Sequence, residues 1–293
     1  MAVKRAGALA GIHVERIVNE PSAAALASYF TANEEQNMLV FDFGGGTLDV
    51  SLVDCFDTMV EIVSVAGNNR LGGDDFDRLI AEHFLREHGV ARQQLRAQEY
   101  AVLLKQAERC KKLLSEQEEV VMHAMVGDQV YESTYTMDRL FEESKALLKE
   151  IRQVIGRALK DGKMTIHDVD LVVMAGGSSK MPLIQKYIRH LFHKAPMVQG
   201  NCDELIALGL GLVCGVKERK EEIKDYILTD ICPFSLGVAT INEADPDRAY
   251  MANIINRNTV LPCSRVRRFY TASDQQDYVV VEVHQGRKYL RAG

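Results

Sequence analysis

Between Met38 and Val53 two apolar runs flank Gly44, Gly45, Gly46 and Thr47, with Asp42 near the end of the first run and Asp49 near the start of the second. Runs this short, the second partly alternating, predict two strands. Three successive glycines predict a tight hairpin that no side chain obstructs. Consecutive N–H groups in such a turn converge on an anion, and phosphate is the usual guest. A carboxylate at Asp42 or Asp49 can hold the water shell of Mg²⁺ or orient an attacking water. The stretch is neither a P-loop, which ends in Gly-Lys-Ser/Thr, nor a G-x-G-x-x-G turn ahead of a helix. The same residues also fit a plain glycine hairpin that holds nothing.

Three further groups have chemical potential. Gly176, Gly177, Ser178 and Ser179 follow the apolar run 171–175 and precede a helix predicted from about 181 to 192. A strand, a glycine turn and a serine ahead of a helix make an anion or nucleotide site at the helix N-terminus. Glu108, Lys111, Lys112 and Ser115 are spaced i, i+3, i+4, i+7 on a helix predicted over 93–115, so they share a face. That face is either a solvated charged surface or a polar surface turned to a ligand. Glu20, just before Pro21, reads as a helix-entry acid.

The elements that position these groups alternate along the chain. Residues 2–13 read as part of a helix with no cap, 14–18 as a short strand, 19–22 as a turn and 23–30 as a helix of small residues. After the hairpin, 59–66 reads as a strand, 67–75 as a loop and 76–88 as an amphipathic helix. Residues 120–136 read as a hairpin around Gly127-Asp128, and 137–160 as one helix. A helix opens at 203–211, and 225–230 is expected to be a linker. From residue 231 the pattern turns all-β, with Val279 and Val281 alternating on one strand, which marks a domain boundary.

Composition excludes several classes. A hydrophobic share of 47% with 26% charged residues is globular rather than disordered. The net charge of −6 argues against a nucleic-acid binder working through a basic face. No apolar run reaches membrane-span length and the first residues lack a signal-peptide pattern, so no membrane role is expected. The six cysteines form no C-x-x-C and have no histidine at zinc spacing, which predicts reduced thiols and a cytoplasmic protein. His83 and His88, five residues apart, are expected at the surface.

Six stretches, in this order, resemble the heat shock protein 70 family of chaperones. They are Asn19-Glu20-Pro21-Ser22-Ala23-Ala24-Ala25, Phe41-Asp42-Phe43-Gly44-Gly45-Gly46-Thr47-Leu48-Asp49-Val50, Leu71-Gly72-Gly73-Asp74-Asp75-Phe76-Asp77, Glu108-Arg109-Cys110-Lys111-Lys112-Leu113-Leu114-Ser115, Ala175-Gly176-Gly177-Ser178-Ser179-Lys180-Met181-Pro182 and Pro233-Phe234-Ser235-Leu236-Gly237. The resemblance implies an α/β fold: an actin-like (ribonuclease H-like) ATPase lobe over 1–224 with a helical and β subdomain at about 72–146. A linker at 225–230 and a partial peptide-binding β-sandwich over 231–293 would follow. The implied function is ATP-dependent protein folding through extended apolar peptides, with ATP or ADP and Mg²⁺ as cofactors.

By the same resemblance Gly44, Gly45, Gly46 and Thr47 would meet the phosphates, and Asp42 and Glu20 would hold Mg²⁺ through water, with Asp42, Glu20 and Thr47 catalytic. Glu108, Lys111, Lys112 and Ser115 would meet the ribose and adenine, and Gly176, Gly177, Ser178 and Lys180 would close the nucleoside pocket, with Asp203 lining the cleft. Val238, Thr240, Phe269, Val279 and Val281 would line the peptide pocket. A J-domain co-chaperone and a nucleotide-exchange factor would be partners. Lys112 and Lys180 stand where the family usually has arginine, and an ammonium cannot stack flat on adenine. Thr229 stands in place of a linker leucine. The chain resembles a truncated member without the first ATPase lobe and its phosphate-facing lysine, and is expected not to hydrolyse ATP alone. The alternative is a non-catalytic protein that binds nucleotide or a co-chaperone.

Overall fold

The computed structural model describes residues 2–286 apart from 33, 128, 199–201, 203, 222–224, 243–244 and 272–273. Helices α1 (Ala2–Leu9) and α2 (Glu20–Ala32) lead into an antiparallel meander of β1 (Gln36–Phe43), β2 (Leu48–Phe56) and β3 (Met59–Asn68). Next come α3 (Gly73–Glu87), α4 (Ala97–Leu113), the hairpin β4 (Glu119–Val126) and β5 (Gln129–Thr136), α5 (Met137–Glu143) and α6 (Lys145–Asp161). β6 (Leu171–Ala175), a 3₁₀ turn at Gly177–Lys180, α7 (Pro182–Phe192) and α8 (Leu205–Lys217) follow. The chain continues through β7 (Ile227–Ile231), β8 (Leu236–Asn242), β9 (Asp245–Ile255), β10 (Val260–Leu261) and β11 (Val283–Gln285).

The main sheet has the order β10-β7-β3-β2-β1-β6, with β6 parallel to β1 and β7 parallel to β3. Side chains alternate across a strand, so β1 sends Leu39, Phe41 and Phe43 to one face and Met38, Val40 and Asp42 to the other. The first set packs with Ile151, Val154 and Ile155 of α6 and Ile184 and Ile188 of α7. Phe76, Ile80, Leu103 and Tyr135, from the 72–146 region, belong to that same continuous cluster. The second set packs under Ala24, Ala25 and Leu26 of α2 and Leu205 and Val213 of α8. There α2 and α8 touch through backbone: a Cβ on Gly209 would lie 1.9 Å from the Ala23 carbonyl oxygen. Gly209→Ala is therefore expected to destabilise the fold by about 1–3 kcal/mol, read as a lower denaturation midpoint in urea with an unchanged slope.

Several expectations need correction. Residues 14–18 form no strand; among the described residues none lies alongside to complete a ladder, and an unpaired strand gains no hydrogen bonds. Residues 20–22 are not a turn but the first turn of α2, where Pro21 fits because its missing N–H has no helical partner to lose. The single helix over 137–160 is two, broken at Ser144, whose Oγ donates to the Phe141 carbonyl at 3.1 Å. His83 is buried, not superficial. Its Nδ1 is 2.8 Å from Glu143 Oε1 and its Nε2 is 2.8 Å from an Arg139 guanidinium nitrogen, so α5 caps it. His88 is half-buried between Phe84, which it meets edge-on, and Tyr131, against which it is tilted.

Residues 225–230, read as a linker, include the start of β7. Ile227 pairs with Met59 and Thr229 with Glu61, and the Ile227 N–H donates to the Thr58 carbonyl at 2.9 Å. Beyond it, β11, β8 and β9 form a separate three-stranded sheet. Residues 278–281 are not a strand. The β8–β11 ladder stops after the Ala239 N–H reaches the Glu282 carbonyl. Val279 and Val281 accordingly stand 63% and 65% exposed.

Candidate functional site

The site is built where β1 ends and β2 begins. Asp42 and Asp49 are directly opposite each other across the hairpin, so both carboxylates fall on the same face of the sheet. The first residue of α2, Glu20, lies over that end of the face. Burial chiefly, then the charges of Glu20 and Asp49, push the Asp42 carboxyl up to about 6. Burial and the Glu20 charge likewise raise Asp49. Like charges facing one another destabilise, and no Lys or Arg among the described residues offsets them. The three acids stand at one end of a cleft of about 1330 Å³ that continues past Val65 to Arg157, Lys160 and Arg257. Arg257 pairs with Asp161 at 2.6 Å and also reaches the Val65 carbonyl, tying the segment after β9 to the sheet.

The hairpin itself is closed by the Gly44 N–H, which donates to the Thr47 carbonyl at 3.0 Å. Gly45, Gly46 and Thr47 are exposed, and their N–H groups meet no acceptor among the described residues. Their carbonyl side is occupied instead: the Gly73 N–H donates to Gly44 O at 3.0 Å and the Asp74 N–H to Gly45 O at 2.7 Å. The N-terminus of α3 thus grips the back of the hairpin. Gly72 makes this approach possible, because a Cβ there would lie 2.1 Å from the Gly45 oxygen. The Gly72 N–H in turn donates to Asp75 Oδ2 at 2.8 Å, which fixes the start of the helix.

On the other flank, β6 ends beside β1, with Ala175 opposite Asp42. Gly176 turns the chain there with φ +79°, and a Cβ on it would lie 2.7 Å from Asp42 Oδ1. That close approach and that φ both require glycine. Ser178 is buried against Gly73, whose Cβ would fall 2.2 Å from the Ser178 Oγ. Ser179 Oγ donates to the Ala175 carbonyl at 2.5 Å and holds the turn. Gly177 and Lys180 are exposed.

The helical group at 108–115 divides between a buried contact and the solvent side, with Glu108 near both lysines. Lys111 lies at the edge of the buried stripe of Leu103, Ala107, Cys110 and Leu114. Its ammonium is 2.7 Å from Asp77 Oδ1 and donates to the Gly73 carbonyl at 2.9 Å. Glu108 and Lys112 pair with each other at 2.7 Å on the solvent side. α4 ends at Leu113, so Ser115 lies beyond the helix and is exposed. Asp203 lies outside the described residues. Of the expected peptide-pocket residues, Val238 and Thr240 share a face of β8, whereas Phe269 sits beside Arg267 at 5.5 Å and Val279 and Val281 are on no strand.

Sequence reasoning missed the roles of Gly72, Gly73 and Asp77. Their signal was the double glycine just ahead of a helix, which marks a close approach as readily as a loop. Among the described residues, no group of three or more His, Cys, Asp or Glu side chains is placed to hold a metal directly. No helix among them is long and apolar enough to cross a membrane.

Residues 1–292 match the HSP70 family model, described as Hsp70 protein. A stromal 70 kDa heat shock-related protein of the chloroplast of Pisum sativum is 36% identical over 303 residues, covering 99% of this chain. The chain spans 41% of that relative's length. The stromal relative overturns the expectation of a cytoplasmic protein, which rested only on cysteine usage and a missing leader pattern. With the glycine hairpin, its paired aspartates and the double-glycine helix start all in place, and with a family match from end to end, this chain belongs to the Hsp70 family.

Proposed function

We propose that the chain is the nucleotide-holding lobe of an ATP-dependent chaperone, with the hairpin Gly44–Thr47 receiving the phosphates. The observation that carries this reading is the three open N–H groups of Gly45, Gly46 and Thr47 beside an uncompensated group of acids. The residues fit the implied cofactors. Asp42 and Asp49, both raised by burial and by the charge of Glu20, are matched to a cation such as Mg²⁺ held through its water shell. When bound, Mg²⁺ neutralises phosphate charge and lowers the barrier to phosphoryl transfer. This chain's own part is to orient the phosphate on backbone donors, with Asp42 and Glu20 placing water. Gly176 and Ser178 would border the nucleoside.

Extended apolar peptides, a J-domain co-chaperone and a nucleotide-exchange factor are the partners this reading brings with it. Val238 and Thr240 on β8 are where peptide contact would begin. The test is thermal stability of the 293-residue chain with Mg²⁺ and ATP at millimolar concentration. The ligand is expected to raise the melting temperature, since anything that binds only the folded state stabilises it. Gly72→Ala, which drives a methyl into the Gly45 backbone, is expected to remove that rise. A rise that survives Gly72→Ala would place the phosphates elsewhere.

A further inference from the structure

We infer that His83, held by its neighbours in the neutral Nδ1–H form, is the acid-sensitive joint of a latch between α3 and α5, and that protonating it frees the first turn of α5. The imidazole is buried. The charged and titratable groups that face it come from three elements: Arg86 and Glu87 of α3, Tyr135 of β5, and Arg139 and Glu143 of α5. Nδ1 lies 2.8 Å from Glu143 Oε1, and Nε2 lies 2.8 Å from Arg139 Nη1. A carboxylate only accepts and a guanidinium only donates. The ring proton therefore sits on Nδ1, and Nε2 offers its lone pair to Arg139. The other tautomer would set N–H against N–H at one end and a lone pair against a carboxylate at the other. Arg86 is 3.4 Å from Nδ1, but its closer partner is Glu143 Oε1, at 2.9 Å. Tyr135 donates to the second oxygen of Glu143 at 2.9 Å.

With the ring neutral, Arg86 and Arg139 offset Glu87 and Glu143. A second proton has one place to go, Nε2. There it meets the Arg139 donor, so a hydrogen bond becomes a contact between two cations. Arg139 is exposed and can leave for water. The acceptor left near Nε2 is Glu87 Oε2, at 3.6 Å, which already accepts from Ser133 Oγ. That hydroxyl, helped by the His83, His88 and Arg139 charges, holds the Glu87 carboxyl below its ordinary range, so it is a charged partner for the new N–H. Nε2 thus changes its partner from α5 to its own helix. Glu143, the last residue of α5, keeps its bond to Nδ1, whereas Arg139, in the first turn, loses its hold. The Arg139 tie is present at neutral pH and is lost as pH falls through protonation of the ring. At its other end, α3 carries the Gly73 and Asp74 donors that grip the glycine hairpin, so the latch sits on the helix that seats the candidate site.

The inference involves no nucleotide and stands apart from the reading above. It is tested by NMR of the full chain between about pH 8 and about pH 5, the range in which histidine changes charge. At the upper end the His83 ring nitrogens are expected to show the Nδ1–H form, with the Arg139 guanidinium ordered. As the ring protonates, the guanidinium is expected to become mobile, while the Val40 and Leu52 amides of the sheet stay protected. Coupling is reciprocal, so removing Arg139 must ease protonation. In Arg139→Gln, at a given pH, the ratio of protonated to neutral His83 is expected to rise about tenfold, the weight of one charge-assisted hydrogen bond. An Nε2–H ring at the upper end, or a ring still neutral at about pH 5, overturns the inference. So does a ring that protonates while Arg139 stays ordered, or a ratio unchanged in Arg139→Gln.

Discussion

Asp42→Asn is expected to make the ligand-free chain more stable at neutral pH while abolishing its response to Mg²⁺ and nucleotide. The Asp42 carboxyl is pushed up to about 6 by burial, then by Glu20 and Asp49. An acid whose folded pKa lies above its unfolded value of about 3.9 binds its proton more tightly when folded. Its contribution to stability is then fully present below about pH 4 and is lost as pH rises through about 6. Asparagine is neutral throughout, so the gain from Asp42→Asn should be absent near pH 4 and complete by pH 7. After discounting for water at an open cleft, the gain is about 1 kcal/mol. That is a rise of about 2–4 °C in melting temperature for a chain of this size. The same substitution takes away a charge that orders the metal's water shell, so addition of Mg²⁺ with ATP should no longer raise the melting temperature. Melting curves at pH 4 and pH 7, with and without ligand, check all of this. An Asp42→Asn chain that is less stable than wild type at pH 7 would mean the carboxylate is compensated by a group not identified above.

Hydrolysis of ATP by the 293-residue chain alone is expected to stay at the uncatalysed rate. Phosphoryl transfer is catalysed almost entirely by positioning and by donors aimed at phosphate charge. The described residues bring one set of donors, Gly45 to Thr47, to one side of that charge. Lys111, the nearest buried cation, is committed to Asp77. The opposite side of the γ-phosphate would face water, and the loss of even one preorganised donor costs roughly a hundredfold or more in rate. Joining the chain to the N-terminal ATPase lobe of a related chaperone is expected to produce turnover that Asp42→Asn then abolishes. Steady release of phosphate measured for the chain alone, dependent on Mg²⁺ and lost in Asp42→Asn, would overturn this expectation.

What was legible in the sequence was what is local. The hairpin at Gly44–Thr47 and the turn at Gly176 are each specified by a few adjacent residues, and both appear at the ends of the strands they were read from. The sequence also put Asp42 at the end of the first strand and Asp49 on the second, while their facing positions come from the register of the hairpin. What could not be read were contacts between segments far apart in the chain. Gly72 is a glycine because of Gly45, and nothing within residues 67–75 states that. The i, i+3, i+4, i+7 spacing grouped Lys111 with Glu108, but the direction of Lys111 is decided by Asp77, on a different helix. His83 sits on a helix with a polar side, yet Glu143 and Arg139 enclose it from α5. Residues 278–281 carry an alternating apolar pattern, but a strand exists only with a partner, and the β8–β11 pairing ends at Val238 and Val283.

The grip of α3 on the hairpin has an electronic side. A peptide unit comprises the carbonyl of one residue and the N–H of the next, joined by resonance. The Gly44 carbonyl that accepts from Gly73 is thus the same unit as the Gly45 N–H, and the Gly45 carbonyl that accepts from Asp74 is the same unit as the Gly46 N–H. A donor placed on each oxygen polarises the unit and makes its hydrogen more acidic toward a second acceptor, the cooperative strengthening of chained hydrogen bonds. Those two donors are themselves the positive end of a helix dipole. An anion seated on Gly45 and Gly46 would feel that dipole without touching the helix, relayed through two glycine peptides acting as conductors. The amide protons of Gly45 and Gly46 should accordingly resonate downfield of those in an isolated glycine turn, and Gly72→Ala should return them upfield.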